Sequence, residues 1–136
     1  METKARILIV DDDEYVRNTY AQCLVNNHYD VAEAEDWRTA FEKVQEFDPQ
    51  VVLLDIKMPE ISGNRLVETL RSWKAGVEVI MISALVSDKT RDECLADGAY
   101  AVLLKPIGLN ELTQAIEGAL ARRAAEGTPV GRMERL

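Results

Sequence analysis

The sequence predicts an α/β domain of (βα)5 order: a doubly wound, five-stranded parallel sheet with helices on both faces. Three observations point there. Short, nearly continuous apolar runs recur along the chain, and continuous rather than alternating hydrophobicity marks strands covered on both faces. Amphipathic segments of helical period lie between the runs. The connections are short, and right-handed crossovers between parallel strands then place helices on both sides of one sheet.

The first run, residues 7–10, is followed by a helical stripe of Val16, Tyr20, Cys23 and Leu24. A weaker strand at residues 30–34 leads to a second stripe, Trp37, Ala40, Phe41, Val44 and Phe47, with Asp36 placed to cap it. The third strand is residues 51–54, and its helix carries Leu66, Val67, Leu70 and Trp73. After the fourth strand, residues 77–82, comes a short, highly charged segment over residues 87–97, with only Cys94 and Leu95 as a clear apolar pair. Ser87 stands at its N-cap position and Gly98 just past its end. The fifth strand, residues 100–104, precedes the cleanest stripe: Leu109, Leu112, Ile116, Ala119 and Leu120.

With 136 residues the chain has room for one domain with a substantial core, expected over residues 5–123, with residues 124–136 as a tail or linker stub. Gly127, Pro129 and Gly131 give that stub its linker character. Hydrophobic residues make up 47% and charged residues 29%, the balance of a soluble globular protein. The net charge is −8, a surface that repels nucleic acid and offers no basic stripe, so no direct DNA or RNA binding is expected. The apolar run after Lys4 and Arg6 is too brief for a secretory core or a bilayer span. Cys23 and Cys94 fit no metal or redox spacing and read as small buried hydrophobes in a reducing compartment. A cytoplasmic location is expected.

In open parallel sheets, ligands gather at the C-terminal ends of the strands. The first strand ends in Asp11-Asp12-Asp13, the third in Asp55, the fourth in Ser83 and the fifth in Lys105-Pro106. Each has an ordinary explanation alone, such as an acidic helix start or a structural hydroxyl. Together they bring carboxylates, a hydroxyl and an ammonium to one rim. Crowded carboxylates repel, and one takes up a proton unless a cation sits among them. A hard, oxygen-seeking ion such as Mg²⁺ suits them, whereas the single histidine, His28, falls in a turn far from this rim. Beside such an ion, Asp55 is set to act as a nucleophile toward a phosphoryl donor, with Lys105 and Ser83 facing the charge that develops.

These residues resemble the receiver domain of bacterial response regulators, the phosphoacceptor half of two-component signalling. The resemblance spans Arg6 to Arg123. It rests on Ile7-Leu8-Ile9-Val10-Asp11-Asp12-Asp13, on Val52-Leu53-Leu54-Asp55-Ile56-Lys57-Met58-Pro59, on Met81-Ile82-Ser83-Ala84, and on Leu104-Lys105-Pro106. It implies a flavodoxin-like fold, with Asp55 phosphorylated by a sensor histidine kinase or phosphotransfer protein. It further implies Mg²⁺ held by Asp11, Asp12, Asp55 and the carbonyl of Lys57, with Asp12 the direct ligand of the acidic pair. Ser83 and Lys105 would respond to the phosphoryl group, and the Lys105–Pro106 peptide would be cis. A downstream output protein or domain would read the fourth helix, fifth strand and fifth helix.

Some positions depart from the family pattern. Val102 stands where many members carry an aromatic switch residue; Tyr100 lies nearby, and strand alternation puts it on the same side as Val102. Ile107 replaces a common phenylalanine, and Ser62-Gly63 a frequent Asp-Gly. Lys57 and Leu85 flank the path of an incoming water and would tune the phosphoryl lifetime. Alternatives are the receiver half of a DNA-binding transcription regulator, a receiver that works without phosphorylation, and a haloacid-dehalogenase-type phosphatase using Asp11. The last needs a further acidic pair after Lys105, which the sequence does not supply.

Overall fold

The four apolar runs and the weaker strand all become strands of one sheet in the computed structural model, which describes residues 3–55, 63–84 and 87–126. In chain order these are β1 (Arg6–Val10), α1 (Glu14–Asn26), β2 (Asp30–Ala34), α2 (Trp37–Phe47), β3 (Val51–Asp55), α3 (Gly63–Trp73), β4 (Glu78–Ser83), α4 (Asp88–Ala96), β5 (Ala101–Leu104) and α5 (Leu109–Glu126). The strand order is β2-β1-β3-β4-β5, every pair parallel. The chain steps outward from β1 to β2 and then crosses back to β3. That reversal opens a crevice between the carboxyl ends of β1 and β3.

Strand alternation divides the core into two layers. Leu8, Val10, Val52, Leu54, Val79, Met81 and Val102 face α2, α3 and α4. Ile7, Ile9, Leu53, Ile80 and Ile82 face the opposite way, onto Tyr20 and Leu24 of α1 and Leu112, Ile116 and Ala119 of α5. Each fully buried aliphatic side chain stabilises the fold by about 1.5–3 kcal/mol. Truncating Leu53 to alanine would cost about 2–5 kcal/mol, because close-packed neighbours only partly collapse into the cavity.

The helix starts follow their capping residues. Asp13, Asp36 and Ser87 each accept a hydrogen bond from the main-chain N–H three residues on, at 3.1, 2.8 and 3.1 Å. Gly98 follows α4 at φ +111, a conformation that disfavours any residue with a Cβ. Within α4 only Cys94 is buried, so this helix is lightly anchored, as its charged sequence implies.

Several details differ from the sequence expectation. Phe41 is 45% exposed, because its ring turns edge-on to Trp73 of α3 at 5.0 Å instead of entering the core. Leu109 is 48% exposed, at the first position of α5, one turn before the buried Leu112. Cys23 is half-buried, whereas Cys94 is buried. β5 begins at Ala101, so alternation does not reach Tyr100. The Tyr100 ring packs with the α1 and α5 layer, opposite Val102. Helix α5 continues through Glu126, three residues into the segment expected to be tail. Ser62, Leu85 and residues 127–136 lie outside the described residues.

Candidate functional site

Asp11, Asp12, Asp55, Ser83 and Lys105 arrive at the crevice because each ends its strand, or follows it by one or two residues. Val10 pairs with Leu54, Asp55 with Ile82 and Ser83 with Leu104, so the register brings Asp11, Asp55, Ser83 and Lys105 to one edge. Asp11, Asp55 and Ser83 are buried, at 2%, 2% and 3% exposure, while Asp12 is exposed. Asp11, Asp12 and Asp55 each offer a carboxylate oxygen, and these atoms lie within 4.8 Å of one another. Lys105 reaches in from the end of β5 and its Nζ donates to Asp55 Oδ2 at 3.1 Å. The Lys105–Pro106 peptide is cis. Lys57 lies outside the described residues.

The electrostatics are those of crowded acids. Burial pushes the Asp11 carboxyl up to about 6, and the neighbouring Asp55 adds to the rise. The Asp13 amide, which donates to Asp11 Oδ1 at 2.8 Å, and the Lys105 ammonium pull it back only in part. Tyr20, behind the site on α1, has its hydroxyl raised by burial and then by the charges of Asp11 and Asp55. Oxygen-only donors, buried and crowded enough to favour a proton or a cation among them, suit a small hard divalent ion.

One participant did not stand out in the sequence. Arg17, on the second turn of α1, donates from Nη1 to the Asp11 carbonyl at 2.8 Å and from Nε to Glu33 Oε1 at 3.0 Å. The available signal was spacing: Arg17 lies one helical turn after Asp13, so its side chain can turn back over the loop that carries the acids.

A second feature lies on the α1 face. An open groove of about 420 Å³ runs between α1 and the segment after β5, lined by Tyr15, Val16, Thr19, Tyr20, Lys105, Pro106 and Ile107. Tyr15 is 80% exposed there. Among the described residues, no helix is long and apolar enough to cross a membrane.

Comparison with known proteins agrees with this geometry. The chemotaxis protein CheY of Bacillus subtilis is 34% identical over 116 residues, which is 85% of this chain and 97% of that protein. The transcriptional regulatory protein PrrA of Mycobacterium tuberculosis is 35% identical over 93% of this chain, but the match spans only 54% of PrrA. The regulatory protein AtoC of Escherichia coli is 35% identical, and the match spans 25% of its length. The chain thus corresponds to nearly all of one relative and to a quarter or half of the others. A crystal structure of a CheY-like receiver domain protein from Methanospirillum hungatei superposes with a TM-score of 0.83, at 30% identity over 90% of this chain and 98% of that one. The family profile for the response regulator receiver domain matches residues 7–117, and the chain belongs to that family, not to the phosphatases that share some of its strand-end residues.

Proposed function

We propose that this receiver domain, bounded by residues 5–123, accepts a phosphoryl group on Asp55 from the phosphohistidine of a sensor histidine kinase or phosphotransfer protein. The observation that carries the reading is the contact of Lys105 Nζ with Asp55 Oδ2 inside the acidic trio. It sets one carboxylate of the three apart, with a fixed positive charge beside it.

In the transfer, an oxygen of Asp55 attacks phosphorus, the phosphorus–nitrogen bond to the donor imidazole breaks, and an acyl phosphate forms. The leaving imidazole nitrogen takes up a proton. Lys105 is positioned to hold the phosphoryl oxygens as charge moves onto them, and the buried Ser83 hydroxyl to donate a hydrogen bond to one of them. Asp11 and Asp12, with Asp55 and the carbonyl of Lys57, are the groups that would hold Mg²⁺. When bound, Mg²⁺ supplies charge neutralisation for the carboxylates and the incoming phosphoryl oxygens. Hydrolysis of the acyl phosphate by water returns Asp55 to its starting state. The domain is therefore a phosphoacceptor switch that promotes its own phosphorylation and dephosphorylation, not an enzyme with a separate substrate.

The α1 groove beside Lys105 is the docking face for the donor in this reading. Leu95 and Leu104, 40% and 46% exposed, mark the α4–β5–α5 surface offered to an output protein or domain. The output is a separate protein, as the full-length match to CheY suggests, or a DNA-binding domain beyond this segment, as the partial matches to PrrA and AtoC suggest. With a net charge of −8, the chain itself is not the nucleic-acid contact. A cytoplasmic setting follows from a donor that is charged inside the cell.

Incubation with acetyl phosphate and Mg²⁺, followed by intact-mass measurement, tests the assignment. Wild type should gain one phosphoryl group; Asp55→Asn, and wild type without Mg²⁺, should gain none. Equal phosphorylation of the Asp55→Asn protein would overturn it.

A further inference from the structure

Asp12 is exposed, so packing does not fix its carboxylate; its place depends on the main chain of the short loop between β1 and α1. That loop is fastened at several points. The Asp11 N–H donates to the Ala34 carbonyl at 3.1 Å, the Asp13 N–H to Asp11 Oδ1 at 2.8 Å, and the Arg17 N–H to the Asp13 carbonyl at 2.9 Å. The Asp11 carbonyl is taken by the Arg17 guanidinium at 2.8 Å. This carbonyl belongs to the peptide plane that joins Asp11 to Asp12, and rotating the plane would swing the Asp12 carboxylate out of the trio.

Arg17 is itself held in place. Its Nε donates to Glu33 Oε1 at 3.0 Å, and its side chain is only 12% exposed. Glu33 lies on β2, paired with Ile9 of β1, so the guanidinium spans from the sheet to the acidic loop. A planar fork serves this geometry, because its Nε–H meets the carboxylate while an Nη1–H meets the carbonyl.

We propose that Arg17, anchored by Glu33, is a positioning residue for the metal-binding carboxylates, fixing the Asp11–Asp12 peptide plane so that Asp12 stays with Asp11 and Asp55. The proposal rests on the reading of these three acids as Mg²⁺ ligands. A competing effect has the opposite sign. A lone cation near the site would repel Mg²⁺, and removing it would tighten binding. Glu33 cancels that charge, so the pair as a whole leaves the field almost unchanged and the tether is what remains.

Titration calorimetry with Mg²⁺ alone, on unphosphorylated protein, separates the two. Arg17→Met, Arg17→Lys and the charge-neutral pair Arg17→Met with Glu33→Gln should each weaken Mg²⁺ binding about tenfold, the lower end of what loss of a ligand's hydrogen-bonding support costs. Arg17→Lys retains the charge and most of the stem, which keeps the test valid if Arg17→Met fails to fold. Faster hydrogen exchange of the Asp12 amide in metal-free Arg17→Lys is the second expected sign, and a thermal melt establishes that the protein is folded. A role in stability alone would lower the melting temperature and leave the affinity of the folded protein unchanged. Mg²⁺ affinity in Arg17→Lys and in the neutral double variant equal to wild type would overturn the proposal while leaving the metal reading intact. Wild type that binds no Mg²⁺ would overturn both.

Discussion

Lys105 Nζ meets Asp55 Oδ2 at 3.1 Å across the end of β4, joining two strands that are not neighbours in the sheet. The pair couples β5 to the crevice through charge as well as through the ladder. It also explains how Asp55, whose side chain is 1% exposed, stays in place beside Asp11.

Replacing that ammonium gives the first prediction. Lys105→Met should lower the initial rate of phosphorylation by acetyl phosphate about 10- to 100-fold, as expected when one preorganised positive group facing a developing charge is lost. The metal-free variant should also be less stable by about 3 kcal/mol, because a buried carboxylate is left without its cation. Saturating Mg²⁺ should return part of that stability. Time-resolved intact mass and urea unfolding read the two effects; an unchanged initial rate would remove Lys105 from the chemistry.

The raised Asp11 carboxyl sets a pH dependence. Its folded value, about 6, lies above the ordinary carboxyl value of 3.8. Between those values the native state holds a proton that the unfolded chain does not, so this group favours folding at low pH and that contribution is lost as pH rises through about 6. Metal binding requires the proton to leave. Mg²⁺ affinity should therefore rise with pH up to about 6 and level off above it, with up to about tenfold per pH unit on the rising side. Calorimetry in two buffers of different ionisation enthalpy should show proton release near pH 5 and little near pH 8. A buffer-independent enthalpy near pH 5 would contradict it.

The sheet was legible in the sequence because buried parallel strands leave unbroken apolar runs, and the strand-end residues because each sits next to such a run. What was not legible came from side chains that act across long sequence separations. Arg17 and Glu33 belong to different elements, and neither is unusual in its own segment. Tyr100 looked like a strand residue by alternation, yet its ring crosses to α5, where Gly118 leaves room for it. A Cβ added at Gly118 would lie 2.0 Å from the Tyr100 hydroxyl. Glu78 was hidden inside an apolar run because its charge is answered by a residue 44 positions away.

Helix α4 should report the phosphorylation state. It buries only Cys94, so few contacts oppose its rearrangement when Ser83 and Lys105 draw toward a phosphoryl group, and β5 lies beside it in the same layer. Hydrogen exchange in residues 88–96 should change by more than in α2, which packs both Ala40 and Val44 into the core. Equal exchange in the two states of α4 would place the switching surface elsewhere.

Glu78 and Arg122 give a prediction at the other end of the sheet. Glu78 is 1% exposed at the start of β4, and Arg122 of α5 answers it with two donors, Nε at 2.9 Å and Nη2 closer still. Nη2 also donates to the Gly98 carbonyl at 3.0 Å, and the guanidinium lies 5.1 Å from the Tyr100 ring centre. Arg122→Met leaves a buried carboxylate without its cation and should destabilise the fold by about 3 kcal/mol, the lower end for breaking such a pair because the Arg122 side chain is partly exposed. Adding Glu78→Gln removes the stranded charge and should recover more than half of the loss. Phosphorylation of the folded variants should proceed at the wild-type rate, since the pair sits at the amino ends of the strands and Asp55 at the carboxyl ends. Urea unfolding measures the first two effects and intact mass the third. If Arg122→Met lost no stability, the ion pair would be an incidental surface contact, and the burial of Glu78 would need another source of stabilisation.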